Sequence, residues 1–131
     1  MSYPYFQNRT VLLTGATRGI GRHITLKLID SGAHVLAIAR DANALRALHA
    51  EYPDNVSVFP VDLASTDAAT RVATWVAAKH PQCSVLINNA AIMVHTDFTK
   101  KANLADIENE ILINLSAPIQ LCTAMLPVLR E

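Results

Sequence analysis

The 131-residue chain has only four glycines, and three of them, Gly15, Gly19 and Gly21, fall in a single turn. The run Thr14-Gly15-Ala16-Thr17-Arg18-Gly19-Ile20-Gly21 follows Val11-Leu12-Leu13, apolar at consecutive positions. A strand of that kind is buried on both faces, as in a parallel sheet. After the turn, Ile20, Ile24 and Leu28 recur every fourth residue, with Arg22, Lys27 and Asp30 off that stripe. This is the pattern of an amphipathic helix, and Gly32 is placed to end it. Glycines let the main chain turn sharply and approach a ligand closely. The free N–H groups at the helix start then face an anion, helped by the helix dipole. A turn that merely uses glycine is the alternative, but the flanking strand and helix favour a pyrophosphate site. The spacing is GxxxGxG rather than GxGxxG, which carries Arg18 over the phosphates.

The same alternation continues. Val35–Ala39 is expected to be a second strand, and Ala44–Tyr52 a short helix with Leu45 and Leu48 inward and Pro53 as its stop. Val56–Val61 is a third strand, which Pro60 confines to an edge or a strand end. Ser65 or Thr66 is expected to cap the next helix, whose inward face is Ala69, Val72, Trp75 and Val76 before Pro81 closes it. Val85-Leu86-Ile87 is a fourth strand leading into Asn88-Asn89-Ala90-Ala91. A long helix is expected from about Asp106 to Leu129, kinked near Asn114, because Pro118 has no N–H for the carbonyl four residues back. The expected fold is therefore α/β: one Rossmann-type domain over residues 1–131, a three-layer doubly wound parallel sheet truncated after about four strands.

Eleven Lys and Arg balance eleven Asp and Glu, so the formal net charge is zero. That opposes a broad electrostatic grip on nucleic acid or an anionic membrane. The five histidines show no HxxH or HExxH spacing, so no metal site is expected. Cys83 and Cys122 form no ligand or redox pattern and are expected to be free, buried thiols, suited to a reducing cytosol. The first ten residues lack the charged start and apolar stretch of a secretory signal. No apolar run is expected to approach the roughly 20 residues that span a bilayer. A soluble cytoplasmic protein follows from this reading.

The glycine turn resembles the TGxxxGxG motif of short-chain dehydrogenases/reductases. Arg40, Asp62-Leu63, Asn88-Asn89-Ala90 and Asn114 follow in the order expected for that family, and the set spans essentially the whole chain. The pairing of Asn88–Met93 with Ile113–Gln120 is most similar to a DltE-like subgroup. The resemblance implies that Gly15, Thr17, Arg18, Gly19, Ile20 and Gly21 hold the pyrophosphate. Asp62 would accept from the adenine amine, and the Leu63 N–H would bond the ring. Asn88 would brace the sheet, and Asn89-Ala90 would meet the adenosine ribose. Ala91 stands where the family usually has glycine. Read without the resemblance, Asp62 is equally a helix-capping acid.

The tip of the second strand lies beside the adenosine ribose in such folds. An acid there favours NAD, but here the strand ends Ala39-Arg40, with Asp41 behind. Arg40 suits the 2′-phosphate of NADP(H), with Arg18 approaching from the other side. A hydrogen bond to a charged group is worth about 1.5–3 kcal/mol, roughly one to two decades of preference over NAD(H). A solvated loop arginine is the alternative, and Asp41 swinging in would weaken the preference.

Hydride transfer in the family resembles a proton relay from a tyrosine, helped by a lysine four residues later and by a serine. Here Tyr3, Tyr5 and Tyr52 are followed at that spacing by Gln7, Arg9 and Val56. Asn114 matches the family asparagine that holds a relay water, though on spacing alone an ordinary helix Asn beside a structural proline fits equally. Ile92-Met93-Val94 is one wall of any substrate pocket. The expected partners are a nicotinamide dinucleotide and, in a longer parent, a small carbonyl or alcohol substrate. A homo-oligomer is also expected, because the fourth strand presents an open apolar edge. A non-catalytic dinucleotide sensor or partner subunit is the second reading. A methyltransferase of related fold is disfavoured by Arg40, where its cofactor ribose would want an acid.

Overall fold

The strand β1 (Thr10–Thr14) is buried at every position because it is central in its sheet. In the computed structural model, which describes residues 1–130, four strands lie in the order β3-β2-β1-β4, all parallel. These are β2 (His34–Ala39), β3 (Val56–Pro60) and β4 (Cys83–Ile87). Strand alternation sends Val11, Leu13, Val35 and Ala37 to one face. There they pack on Leu28 of α1 (Gly19–Asp30) and on Leu45 and Leu48 of α2 (Ala42–Glu51). Leu12, Leu36 and Ile38 face the other way, against Val72 and Val76 of α3 (Ala68–Lys79) and Leu121 and Met125 of α5 (Ala117–Leu129). Helices cover both faces, so the fold is the three-layer α/β sheet read from the sequence, with Pro60 closing an edge strand.

Local chemistry sets the helix ends. Gly32 takes φ +79°, its N–H bonds the Ile29 carbonyl, and Ala33 N–H bonds Leu28, a Schellman stop for α1. The second helix starts two residues earlier than expected because Asp41 caps it, its Oδ1 accepting from the N–H groups of Asn43 and Ala44. The expected Ser65 or Thr66 cap is corrected: Asp67 occupies the cap position of α3 without a side-chain bond. Ser65 is consumed in a preceding turn, where its carbonyl accepts from Ala68 N–H.

The last helical stretch begins with α4 (Leu104–Ile111), capped by Asn103, and passes through a π-helical turn (Leu112–Ser116) into α5. The expected kink is thus a local change of winding, and it surrounds the carbonyl that Pro118 cannot serve. Three further expectations are corrected. Ile20 is not inward-facing but 76% exposed, because the first turn of α1 overhangs the end of the sheet. Cys122 is exposed, lying beside rather than on the Leu121/Met125 stripe, whereas Cys83 is buried. The continuous helix Leu104–Leu129 is long and apolar enough, by length and composition, to cross a bilayer, with a window of mean hydropathy 1.6. Its residues Ile113, Ala117, Leu121 and Met125, four apart, are nevertheless buried within this fold.

Candidate dinucleotide-binding site

Strand order reverses between β1 and β4, since β2 and β3 lie on one side of β1 and β4 on the other. Crevices at the carboxyl ends of strands beside such a switch point are where open α/β sheets bind ligands. A crevice of about 830 Å³ opens there. Gly15, Thr17, Arg18, Gly19, Ile20 and Gly21 form its floor, and Arg40, Asp41, Asp62 and Leu63 flank one side. Asn89, Ala90, Ala91, Ile92 and Ile113 flank the other. Every residue that the sequence reading assigned to the cofactor is therefore on this one surface.

The floor is shaped by close backbone approach. Gly15 has φ +66°, and its N–H bonds the Ile38 carbonyl of β2 at 2.9 Å. Any Cβ on Gly21 would overlap the Gly15 carbonyl. The Thr25 hydroxyl, fully buried, donates towards the carbonyls of Gly21 (2.9 Å) and Ala16 (3.2 Å) and ties α1 to the turn. Arg18 occupies the cap position of α1 in extended conformation without a side-chain cap bond, so no side chain satisfies the first N–H groups of the helix. These groups open on the crevice.

The ends of β1 and β4 are locked together. Thr14 Oγ1 accepts from the N–H of Asn89 (3.0 Å) and of Ala90 (2.9 Å). Asn89 Nδ2 donates back to the carbonyls of Thr14 (3.0 Å) and Gly15 (3.2 Å). The bracing role assigned to Asn88 is thus corrected to Asn89. Side chains alternate beyond β4, which turns Asn88 away, its Nδ2 donating to Cys122 Sγ at 3.5 Å. Ala91 lies at the mouth without a positive φ, so its Cβ causes no backbone strain.

Asn114 is beside the crevice rather than in its lining. Its Oδ1 accepts from Ile92 N–H (2.8 Å) and its Nδ2 donates to the Ile92 carbonyl (2.6 Å), which pins the segment after β4 to the π-helical turn. Sequence reasoning concerned only the Asn114 carbonyl and missed this side-chain clamp. The spacing from Ile92 carries no local signal for it.

Two arginines, Arg18 and Arg40, and two aspartates, Asp41 and Asp62, line the same crevice. Asp62 Oδ1 accepts from Ala64 N–H at 3.0 Å, so it braces its own turn and does not cap α3. Asp41 Oδ1 is held by the two amides of α2 at 2.9 and 3.0 Å. Among the described residues, neither Arg18 nor Arg40 makes an ion pair. Away from the crevice, three groups are displaced from their ordinary titration range. His80 is lowered by burial and by neighbouring His34 and Lys79. Cys83 is raised by burial, and Asp97 is lowered by its bonds from Thr99. No cluster of three metal-ligating side chains exists among the described residues.

The family profile described as short chain dehydrogenase matches residues 9–131. The chain belongs to the short-chain dehydrogenase family. Among curated relatives, it is 30% identical over 125 residues to an uncharacterized oxidoreductase, DltE, of Bacillus subtilis, covering 95% of this chain and 49% of that protein. It is 31% identical over 121 residues to YdfG of Escherichia coli K12, an NADP-dependent 3-hydroxy acid dehydrogenase, covering 92% of this chain and 49% of that protein. The chain therefore spans about half the length of the curated relatives it matches. Among solved structures, a metagenomic short-chain oxidoreductase in complex with NADP superposes with TM-score 0.82 at 36% identity, over 94% of this chain and 57% of that one. RhlG of Pseudomonas aeruginosa with NADP gives 0.86 at 30%, over 98% and 51%.

Proposed function

We propose that these residues form the NADP(H)-holding part of a short-chain oxidoreductase acting on a carbonyl or alcohol. One observation carries the reading. The uncapped amides of α1 open on a crevice lined also by Arg18 and Arg40, neither in an ion pair among the described residues, while the carboxylates of Asp41 and Asp62 are bonded to backbone amides. The crevice offers donors that suit such a cofactor: the uncapped start of α1 and two arginines. The α1 amides would hold the pyrophosphate, Arg40 and Arg18 the 2′-phosphate, and Asp62 and Leu63 the adenine, with Asn89 and Ala90 by the ribose. Bound there, the nicotinamide supplies or accepts hydride. The Asn114 carbonyl, lacking a donor from Pro118, is the chain's own candidate to hold a relay water. Ile92 and Met93 border the substrate side.

None of the 131 residues forms a Tyr-x-x-x-Lys pair. In this proposal these residues hold the dinucleotide and contribute no tyrosine–lysine pair to hydride transfer. A neutral phenol titrates near 10 and needs a cation beside it to act at pH 7. The second reading of these residues is a dinucleotide-binding subunit without chemistry of its own. Self-association also belongs to this proposal. Ile111, Leu115, Ile119 and Leu126 are all more than two-fifths exposed along α4, the π-helical turn and α5, and β4 pairs with one strand only among the described residues.

Titration with NADPH and with NADH tests the reading. NADPH is expected to bind about 10- to 100-fold more tightly. Equal affinities would overturn the preference, and no uptake of either at millimolar concentration would overturn the site.

A further inference from the structure

We infer that Asp41 is a positioning residue for the 2′-phosphate, acting through Arg40 rather than through its own charge. The inference rests on the NADP(H) reading above. Arg40 is the single residue between two fixed points. On its N-terminal side, the Ala39 carbonyl accepts from Val61 N–H at 2.9 Å, which locks the end of β2 to the segment after β3. On its C-terminal side, Asp41 is fastened twice. Its carboxylate accepts from Asn43 and Ala44 N–H, and its own carbonyl accepts from Leu45 N–H at 3.1 Å. The backbone that carries the guanidinium is thus fixed from both ends, although Arg40 and Asp41 are both exposed.

The sequence alone suggests the opposite role. Read by position only, an acid one residue past the tip of β2 would compete for the ribose hydroxyls or repel a phosphate. The cap removes that competition. The carboxylate that lines the same crevice as Arg40 is committed to the first turn of α2. Two N–H donors and the positive end of the helix offset its charge there. Arg40 is left without an ion-pair partner among the described residues, and the acid beside it serves as its anchor.

Four variants separate capping from charge, each checked for fold by its circular-dichroism melt and titrated with NADPH and NADH. Asp41→Ala removes cap and charge. Asp41→Glu keeps the charge, but its extra methylene moves the carboxylate off the amides. Asp41→Asn and Asp41→Ser keep a good cap without the charge. Ala and Glu are expected to raise the NADPH dissociation constant roughly five- to tenfold, with NADH changed less than about twofold; Asn and Ser are expected to stay within about twofold of wild type for both. In an Arg40→Ala background, Asp41→Glu should add no further loss.

Loss of NADPH affinity in the Asn variant equal to that in Ala would make the charge the active feature and overturn the inference. So would a selective loss of NADH in the Asn variant, or unchanged NADPH binding in both Ala and Glu. A wild-type chain that takes both nucleotides equally would overturn the cofactor reading instead. A wild type that prefers NADPH, and keeps that preference in Ala and Glu, would remove Asp41 alone.

Discussion

Gly21 and Gly15 approach so closely that a Cβ on Gly21 would stand 1.7 Å from the Gly15 carbonyl oxygen. No side chain fits there unless the turn moves, and the turn is the floor of the crevice. Gly21→Ala should therefore cost about 1–3 kcal/mol of stability through overpacking and also abolish NADPH binding, because the displaced segment carries the phosphate-facing amides. Gly19 is a useful contrast. It has φ +53° but open space around its Cβ position, so Gly19→Ala should strain the turn without a clash. Melting curves and nucleotide titration of the two variants distinguish these effects.

Thr14→Val preserves shape but removes the hydroxyl that accepts from Asn89 and Ala90 N–H. Thr14 is 1% exposed, so water does not readily replace the lost acceptor. A destabilisation of about 2 kcal/mol is expected, measured by urea unfolding. Thr14→Ser, which retains the acceptor, should lose much less.

Arg40→Asp inverts the charge beside the proposed 2′-phosphate. NADPH affinity should fall by roughly one to two decades while NADH affinity holds or rises. Calorimetric titration with both nucleotides reads this directly. Equal losses would assign Arg40 to the loop surface.

His80, at the end of α3, stacks with His34 (centroids 6.0 Å) and meets the edge of Trp75, the chain's one tryptophan, at 5.0 Å. Burial, then the charges of His34 and Lys79, disfavour its protonated form in the folded chain, so its pKa lies below the usual 6.5. Folding then binds fewer protons than unfolding, and His80's contribution is fully present above about pH 6.5 and lost as pH falls from there through the folded value. Stability measured from pH 7.5 to 5 should decline, and Trp75 emission should titrate with a midpoint below 6.5. Both effects should shrink in His80→Gln.

Where neighbours along the chain determine structure, the sequence was legible. Consecutive apolar residues in Val11-Leu12-Leu13 and Val35–Ala39 mark strands buried on both faces, and the spacing of Gly15, Gly19 and Gly21 marks a turn that must approach something closely. Errors arose where tertiary placement decides. Ile20 continues the periodicity of α1, but no strand lies beneath that turn. Asn88 and Asn89 are equivalent in sequence, and only the pleat at the end of β4 selects Asn89 to face Thr14. Asp41 was read only as an acid near the strand tip that would weaken the preference for NADP(H); its capping of α2 went unread, so that helix was expected to begin at Ala44. The link between Asn114 and Ile92 joins residues with no local pattern between them, so only the packed fold reveals it.

The central claim is that the first-turn amides of α1 grip a diphosphate. The most direct measurement is the ¹⁵N–¹H spectrum of the chain titrated with NADPH. The account predicts that the largest shifts fall on Arg18, Gly19, Ile20 and Gly21, and that these are lost in Gly21→Ala. Saturable binding that leaves those four amides unmoved, with the largest changes elsewhere on the molecule, would contradict it.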